Sequence, residues 1–167
     1  MRILGIDPGY AIVGYGIIDY NSNHFSVVDY GAITTKAHTP FEQRLSSIYC
    51  GMTQLISTYK PDAMSIEKLF FNTNTTTAID VAQARGVIVL SAAQGGLDIA
   101  EYTPLQVKQS VVGYGRAEKK QVQEMTRLML NLKAVPKPDD TADALALAIC
   151  HAHSAGSMLG RIKVNGG

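Results

Sequence analysis

The chain has 167 residues, which suits one domain with a sizeable core and leaves no room for two large domains. Lysine and arginine total 15 and aspartate and glutamate total 14, so the formal net charge of +1 neither favours nor excludes a polyanionic partner. Charged residues at 17% and apolar residues at 46% exclude disorder of the whole chain.

No apolar run approaches the roughly 18 residues needed to cross a bilayer, and the N-terminal run is too short for a signal peptide. We therefore expect a soluble, cytoplasmic protein. Cys50 and Cys150 lie far apart in apolar surroundings, so both are expected to be buried thiols without a disulfide. Cys150 and His153 are three residues apart, but no second pair of zinc-type ligands accompanies them, which favours a structural role.

The first 35 residues predict a three-stranded antiparallel meander. Strands are expected at residues 3–6, 12–20 and 25–35, with turns at residues 7–9 and 21–23. An amphipathic helix follows from Pro40, because apolar residues recur every three or four positions until Lys60-Pro61 stops it.

The middle of the chain predicts a buried strand followed by a long apolar helix. The strand covers residues 63–69, and Phe70-Phe71 and a polar loop at residues 72–77 lead to a helix over residues 78–93. Residues 87–90 are four consecutive apolar residues and cover every side of that helix. We therefore expect it to pack between the sheet and a second copy of the chain.

The remainder alternates a strand with helices. A strand at residues 99–102 leads to a helix that starts at Thr103-Pro104, and further helices are expected at residues 117–130 and 140–153. We interpret residues 1–153 as one α/β domain whose mixed sheet begins with three antiparallel strands and carries helices on both faces. Residues 154–167 are interpreted as a flexible C-terminal tail.

Four acidic residues stand beside buried apolar sequence at the ends of these elements. Asp7 and Glu67 end strands, whereas Asp140 and Asp143 share one face at the start of the last helix. Each has a structural alternative as a turn residue or a helix cap. As a cluster they would repel one another unless a cation neutralised them, and all-oxygen ligands favour Mg²⁺ or Mn²⁺. Two such ions activate a water and stabilise the leaving oxygen in phosphodiester hydrolysis, so the set predicts a metal-dependent hydrolase.

A basic segment precedes the last two acids. Residues 108–137 contain seven basic residues and two acids, a net charge of +5, and the rest of the chain carries −4. Such a run is also typical of a solvated helix face. Here a phosphate backbone could lie across Lys108, Arg116, Lys119 and Lys120 and reach the acids. If two Mg²⁺ neutralise the net charge of −4 on the rest of the chain, DNA affinity should depend on divalent metal as well as on monovalent salt.

Phe70 is the candidate aromatic contact to DNA. A phenylalanine after a strand usually belongs to the core, but an exposed one can stack on an unpaired base.

Several short motifs, taken in chain order, resemble one known family. They are Gly5-Ile6-Asp7-Pro8-Gly9 with Gly14-Tyr15-Gly16, Ile66-Glu67 followed by Phe70, Gln83-Ala84-Arg85-Gly86, Gln106-Val107-Lys108-Gln109, Ala117-Glu118-Lys119 and Asp140-Thr141-Ala142-Asp143-Ala144-Leu145-Ala146. Over about residues 1–153 the chain is similar to the RuvC crossover junction endodeoxyribonucleases.

The resemblance implies an RNase H-like fold and a homodimer that contacts its second copy through the helix over residues 78–93. It implies Mg²⁺-dependent cleavage of two opposed strands of a four-way (Holliday) DNA junction during homologous recombination and repair. The products would be ligatable nicks with 5′-phosphate and 3′-hydroxyl ends. A RuvA–RuvB branch-migration complex is the implied partner.

The resemblance also implies roles for individual residues. The catalytic and metal-binding acids, with two ions per subunit, would be Asp7, Glu67, Asp140 and Asp143. Phe70 would wedge the junction open, and Lys108 and Lys119 would contact phosphates. Asp139 leaves a register ambiguity, although only Asp140 has a partner three residues on, at Asp143.

Other functions fit parts of the sequence. The nearest alternative is a related RNase H-like nuclease that acts on RNA or RNA–DNA hybrids. Asp7, Gly9 and Gly14 also resemble the phosphate-binding hairpin of sugar kinases and actin-like ATPases, but those folds need two such domains and this chain is too short. A junction-binding scaffold without catalysis is opposed by the presence of all four acids.

Overall fold

The computed structural model describes residues 1–69 and 75–156, which form a five-stranded sheet flanked by helices. The elements are β1 (Arg2–Asp7), β2 (Ile12–Asn21), β3 (His24–Thr34), α1 (Phe41–Tyr59), β4 (Ala63–Glu67), α2 (Thr75–Gln94), β5 (Asp98–Tyr102), α3 (Pro104–Val112), α4 (Lys119–Met129) and α5 (Asp139–Gly156). The strand order is β3-β2-β1-β4-β5.

The sheet is mixed, as predicted. β1 pairs antiparallel with β2, and β2 pairs antiparallel with β3. β4 lies parallel to β1 and β5 lies parallel to β4, so the two α-helical crossovers follow the antiparallel start. The antiparallel meander and the α/β class predicted from the sequence are therefore confirmed.

Two hydrophobic cores lie on opposite faces of the sheet. Side chains of a strand alternate between faces, so Leu4 and Ile6 of β1 pack with α1 and α2, whereas Ile3 packs with α5. In β4, Ile66 faces α1 and α2, and Ser65 faces α5, where its Oγ donates to the Leu147 carbonyl oxygen at 2.7 Å. Helices therefore cover both faces, as predicted.

The same alternation decides where two of the acids point. Asp7 follows Ile6 and Glu67 follows Ile66, so both carboxylates belong to the face covered by α5. Since β1 and β4 are parallel and Ile6 is paired with Ile66, these two strands end side by side. The pleat and the register together bring Asp7 and Glu67 to the same edge and the same face of the sheet.

Helix α5 lies so close to β1 and β2 that only glycine fits beneath it. A Cβ on Gly5 would collide with the carbonyl oxygen of Ala144, and a Cβ on Gly14 would collide with that of Asp140. The close approach fixes the first turn of α5 over the end of β1.

Four predicted boundaries and one predicted burial are wrong. α4 begins at Lys119 rather than at residue 117. β4 ends at Glu67 rather than at residue 69, and α2 begins at Thr75 rather than near residue 78 because the threonines read as a loop are helical. α5 continues to Gly156, three residues into the predicted tail, with Ser154 Oγ donating to the Cys150 carbonyl oxygen at 2.8 Å. Cys50 is exposed because α1 turns Ile48 and Met52, on either side of it in sequence, toward the core.

The remaining expectations for these regions fall outside the described residues, since Phe70, Phe71, the loop at residues 72–74 and residues 157–167 are not among them. Cys150 is buried, as predicted. None of the described helices is long and apolar enough to cross a membrane.

Candidate active site

The predicted acids meet at the edge of the sheet where β1 and β4 end. Asp7 and Glu67 come from these strands, and the first turn of α5 brings Asp140 and Asp143 over them. Thr141 fixes that turn, because its Oγ1 donates to the carbonyl oxygen of Gly31 at 2.9 Å and its side chain is fully buried. All four acids predicted from the sequence therefore lie in one region.

Burial and mutual repulsion raise the pKa of three of these acids. Burial, followed by the charges of Glu67, Asp143 and Asp140, raises the pKa of Asp7 to about 8. Burial and then the charge of Asp143 raise the pKa of Glu67. The pKa of Asp143 is also raised, chiefly by burial, against the opposing effect of Lys119. Such a cluster holds more negative charge than its surroundings stabilise, and a cation would relieve it.

Lys119 supplies one positive charge to the cluster. Its Nζ lies 3.1 Å from Asp143 Oδ2 and 3.9 Å from Asp139 Oδ2. Burial alone would lower the pKa of Lys119, but the hydrogen bond to Asp143 and the nearby carboxylates raise it overall. This pair could not be predicted from the sequence, since the two residues lie on different helices at no characteristic spacing.

Asp139 differs from its neighbour Asp140 in its surroundings. Lys137 Nζ lies 2.7 Å from Asp139 Oδ1, and this hydrogen bond is the main cause of the lowered pKa of Asp139. Asp140 and Asp143, by contrast, both act on the pKa of Asp7 through their charges, whereas Asp139 does not. The structure thus places Asp140 and Asp143, rather than Asp139, where their charges act on Asp7.

A cavity of about 280 Å³ opens beside the acids. It brings together two acids and two of the predicted DNA-binding lysines over an apolar floor, and its lining is Glu67, Pro104, Val107, Lys108, Lys119, Val122, Asp143, Ala146 and Leu147. Arg116 and Lys120 are exposed on the surface nearby and do not line it. Phe70 lies outside the described residues.

The acids suit a hard divalent cation by their chemistry, since all four offer carboxylate oxygens. Among residues 1–69 and 75–156, however, no three acidic, histidine or cysteine side chains are arranged to hold a metal ion. One reason is visible in the structure: Asp143 points to the ammonium group of Lys119. The four carboxylates fit a metal ion by their chemistry, but Asp143 would have to give up its ion pair with Lys119 to bind one.

The raised pKa values predict how the stability of the metal-free protein depends on pH. The pKa of Asp7 is about 8 in the folded chain and near 3.8 in the unfolded chain. Its contribution to the stability of the folded state is therefore full below pH 3.8 and is lost as the pH rises through about 8. Glu67 and Asp143 act in the same direction. Urea denaturation in EDTA should give a free energy of unfolding about 2 kcal/mol lower at pH 8.5 than at pH 5.5.

Asp7→Asn should remove most of that difference, because asparagine keeps the shape of the side chain without its ionisation. A stability that is equal at the two pH values, or greater at pH 8.5, would contradict the electrostatic description of the cluster.

Comparisons with known proteins agree on one family. Residues 3–151 match the family described as "Crossover junction endodeoxyribonuclease RuvC". Proteins of that name from Alkaliphilus metalliredigens and Ruminiclostridium cellulolyticum are 65% and 61% identical, over 92% and 96% of this chain and 94% and 98% of theirs. The structure of Thermus thermophilus RuvC in complex with a Holliday junction substrate is similar at a TM-score of 0.88, with 32% identity over 93% of this chain and 94% of that one.

Proposed function

The chain belongs to the RuvC family of crossover junction endodeoxyribonucleases and is thus a Holliday junction resolvase with an RNase H-like fold, and we propose that Asp7, Glu67, Asp140 and Asp143 are its catalytic centre. The observation that carries this proposal is the meeting of these four acids at one sheet edge, with Lys108 and Lys119 beside them. Two opposed strands of the junction would each be hydrolysed once, leaving a 5′-phosphate and a 3′-hydroxyl.

The proposed cofactor is Mg²⁺, with Mn²⁺ as a substitute and two ions per subunit. The four carboxylates would hold the ions, which would supply an activated water and stabilise the leaving oxygen. Asp7 is central to this set, because the charges of the other three acids all act on it. Asp7 ends β1, which is the central strand of the sheet. Its backbone is therefore held by strands on both sides, and a rigid backbone preorganises a metal ligand.

The lysines would place the DNA backbone against this centre. Lys108 and Lys119 line the same cavity as Glu67 and Asp143, so a phosphate bound by the lysines lies next to the acids. Arg116 and Lys120 extend this positive surface outward. For Phe70 the proposed role remains stacking on an unpaired base at the junction centre.

We further propose a homodimer formed through α2. Ile79, Gln83, Gly86, Leu90 and Ala93 follow one another at alternating spacings of four and three residues and are exposed. This spacing is typical of the contact face between two paired helices. A Cβ added to Gly86 would have no atom within 4 Å, so a second helix could approach closely there. A two-fold dimer would present two equal centres to two opposed strands.

Leu90→Glu tests this dimer. Leu90 is 50% exposed in the single chain, and burying a glutamate in its place would cost enough to separate the two copies. Light scattering should show a monomer, and junction cleavage should fall at least about tenfold. The matched control is Leu128→Glu, which changes a leucine that is 54% exposed on α4 and should leave a dimer. A Leu90→Glu protein that remains dimeric would exclude α2 as the interface.

We also propose a cytoplasmic location and coupling to a RuvA–RuvB branch-migration complex.

The substrate is tested by comparing cleavage of a four-way junction, a linear duplex and an RNA–DNA hybrid of the same sequence in Mg²⁺. Preferential cutting of the junction is expected. Faster cutting of the hybrid would favour the alternative nuclease, and stimulation by nucleoside triphosphates would favour an ATPase.

A further inference from the structure

An arginine in the first turn of α1 is held rigidly without a carboxylate. Arg44 Nε donates to Thr35 Oγ1 at 2.8 Å, and its guanidinium carbon lies 4.7 Å from the centre of the Tyr10 ring. The Tyr10 ring lies 6.1 Å from that of Phe41. Tyr10, Thr35, Phe41 and Arg44 are called the Arg44 platform below.

Three other arginines of the described residues are neutralised by acids. Arg2 lies 2.8 Å from Asp19, and the pairs Arg85–Glu101 and Arg127–Glu124 are 2.9 and 2.7 Å apart. In the described ranges Arg44 has no carboxylate within ion-pair distance, and neither terminal nitrogen of its guanidinium has a hydrogen-bond acceptor. Arg116 also has no acid within ion-pair distance among residues 1–69 and 75–156, but it is exposed in a turn and makes no side-chain hydrogen bond to them.

The platform is attached to the turn that follows Asp7. Thr35 Oγ1 donates to the Tyr10 carbonyl oxygen at 2.6 Å, and Thr35 N donates to the Ala11 carbonyl oxygen at 2.9 Å. Tyr10 packs against the core under α1 and α2, so the platform lies on the α1 side of the sheet edge. Lys108 and Lys119 line the cavity on the α5 side together with Glu67 and Asp143, so the Arg44 platform lies across the sheet edge from both the lysines and the acids.

A guanidinium of this kind suits a phosphodiester. Its terminal N–H groups are free to donate in a planar pair, the stacked ring fixes its plane, and no acid competes for it. Lys36 follows Thr35 in the connection after β3, is exposed and adds a second positive charge at this edge. Its attachment to the turn that follows Asp7 favours the DNA substrate over a free carboxylate or a protein partner.

We propose that Arg44 binds a backbone phosphate of the junction across the sheet edge from the acids and from Lys108 and Lys119. The cut strand then crosses the sheet edge with one flank on the lysines and the other on the Arg44 platform. This inference rests on the proposed function, since it assumes that the acids mark the cleavage point. It assigns to α1 a role in holding the substrate that complements the lysines of α3 and α4.

The test is equilibrium binding of a fluorescent four-way junction in EDTA, where no cleavage occurs, at monovalent salt from 50 to 300 mM. Arg44→Gln should bind about tenfold more weakly at the lowest salt. Its plot of log affinity against log salt should be shallower by about one unit, because one fewer counterion is released. Arg44→Lys should keep the slope and lose part of the affinity, since it keeps the charge without the planar fork.

Lys60→Gln is the matched control. It removes one charge at the other end of α1, at the opposite edge of the sheet, and should change neither affinity nor slope. If Arg44 only fastens the turn after Asp7, Arg44→Gln will melt at a lower temperature while its salt slope stays that of the wild type, and the inference is wrong.

The same salt series on a linear duplex separates this inference from the proposed function. A wild-type protein without preference for the junction would contradict the proposed substrate, yet the slope for Arg44→Gln would still report whether Arg44 contacts phosphate.

Discussion

Asp7→Asn is expected to abolish junction cleavage, with a loss of at least about 10³-fold, equivalent to about 4 kcal/mol in the barrier. The reason is the central place of Asp7, whose pKa responds to the charges of Glu67, Asp143 and Asp140 together. Asparagine keeps the size of the side chain and removes the charge that a cation would need. Single-turnover cleavage of a labelled junction in Mg²⁺ measures the loss.

Junction binding in EDTA should survive the same substitution, since the proposed phosphate contacts are made by lysines and an arginine rather than by Asp7. The control is Asp19→Asn, at the opposite edge of the sheet, where Asp19 pairs with Arg2 on a half-exposed surface. That variant should cut normally. Retained cutting by Asp7→Asn would overturn the assignment of the acids.

Gly14→Ala is expected to inactivate the protein, although the substitution replaces no ionisable group. The new Cβ would collide with the carbonyl oxygen of Asp140 and lie 2.8 Å from its Cβ, so the first turn of α5 must move. Overpacking of this kind costs about 1 to 3 kcal/mol of stability. A displacement of about 1 Å at a catalytic group costs about 10²-fold in rate, so cleavage should fall by at least that factor.

The comparison variant is Gly51→Ala, in the middle of α1. The three atoms nearest to its Cβ would all belong to the side chain of Ile33, which can adjust, and the site lies on the α1 side of the sheet rather than at the acids. This variant should fold and cut normally. If Gly14→Ala cuts as fast as Gly51→Ala, the close approach of α5 to β2 is not what positions Asp140.

The location of the acids could be predicted from the sequence because it follows from local rules. Alternation along β1 and β4 assigns Asp7 and Glu67 to one face, and the spacing of Asp140 and Asp143 assigns them to one face of α5. The antiparallel meander of β1, β2 and β3 could be predicted for the same reason, since turn residues separate runs of β-forming side chains. These features depend on neighbours within a few residues.

The features that were missed depend on contacts between distant parts of the chain. Lys119 reaches Asp143 from another helix, and Arg44 of α1 reaches Tyr10 and Thr35, which lie in two different connections. Neither pairing has a sequence spacing that could reveal it. Cys50 was wrongly expected to be buried because its neighbours are apolar, whereas the orientation of α1 decides which of them face the core.

Four acids at one sheet edge are proposed to make this chain a metal-dependent resolvase of four-way junctions. The most direct test is cleavage of a mobile four-way junction labelled in turn on each strand, with the incision sites mapped in Mg²⁺ and in EDTA. We expect incisions at matching positions on two opposed strands, with 5′-phosphate and 3′-hydroxyl ends, only in the presence of metal. Incision in EDTA, or unpaired incision spread along the duplex arms, would contradict this proposal.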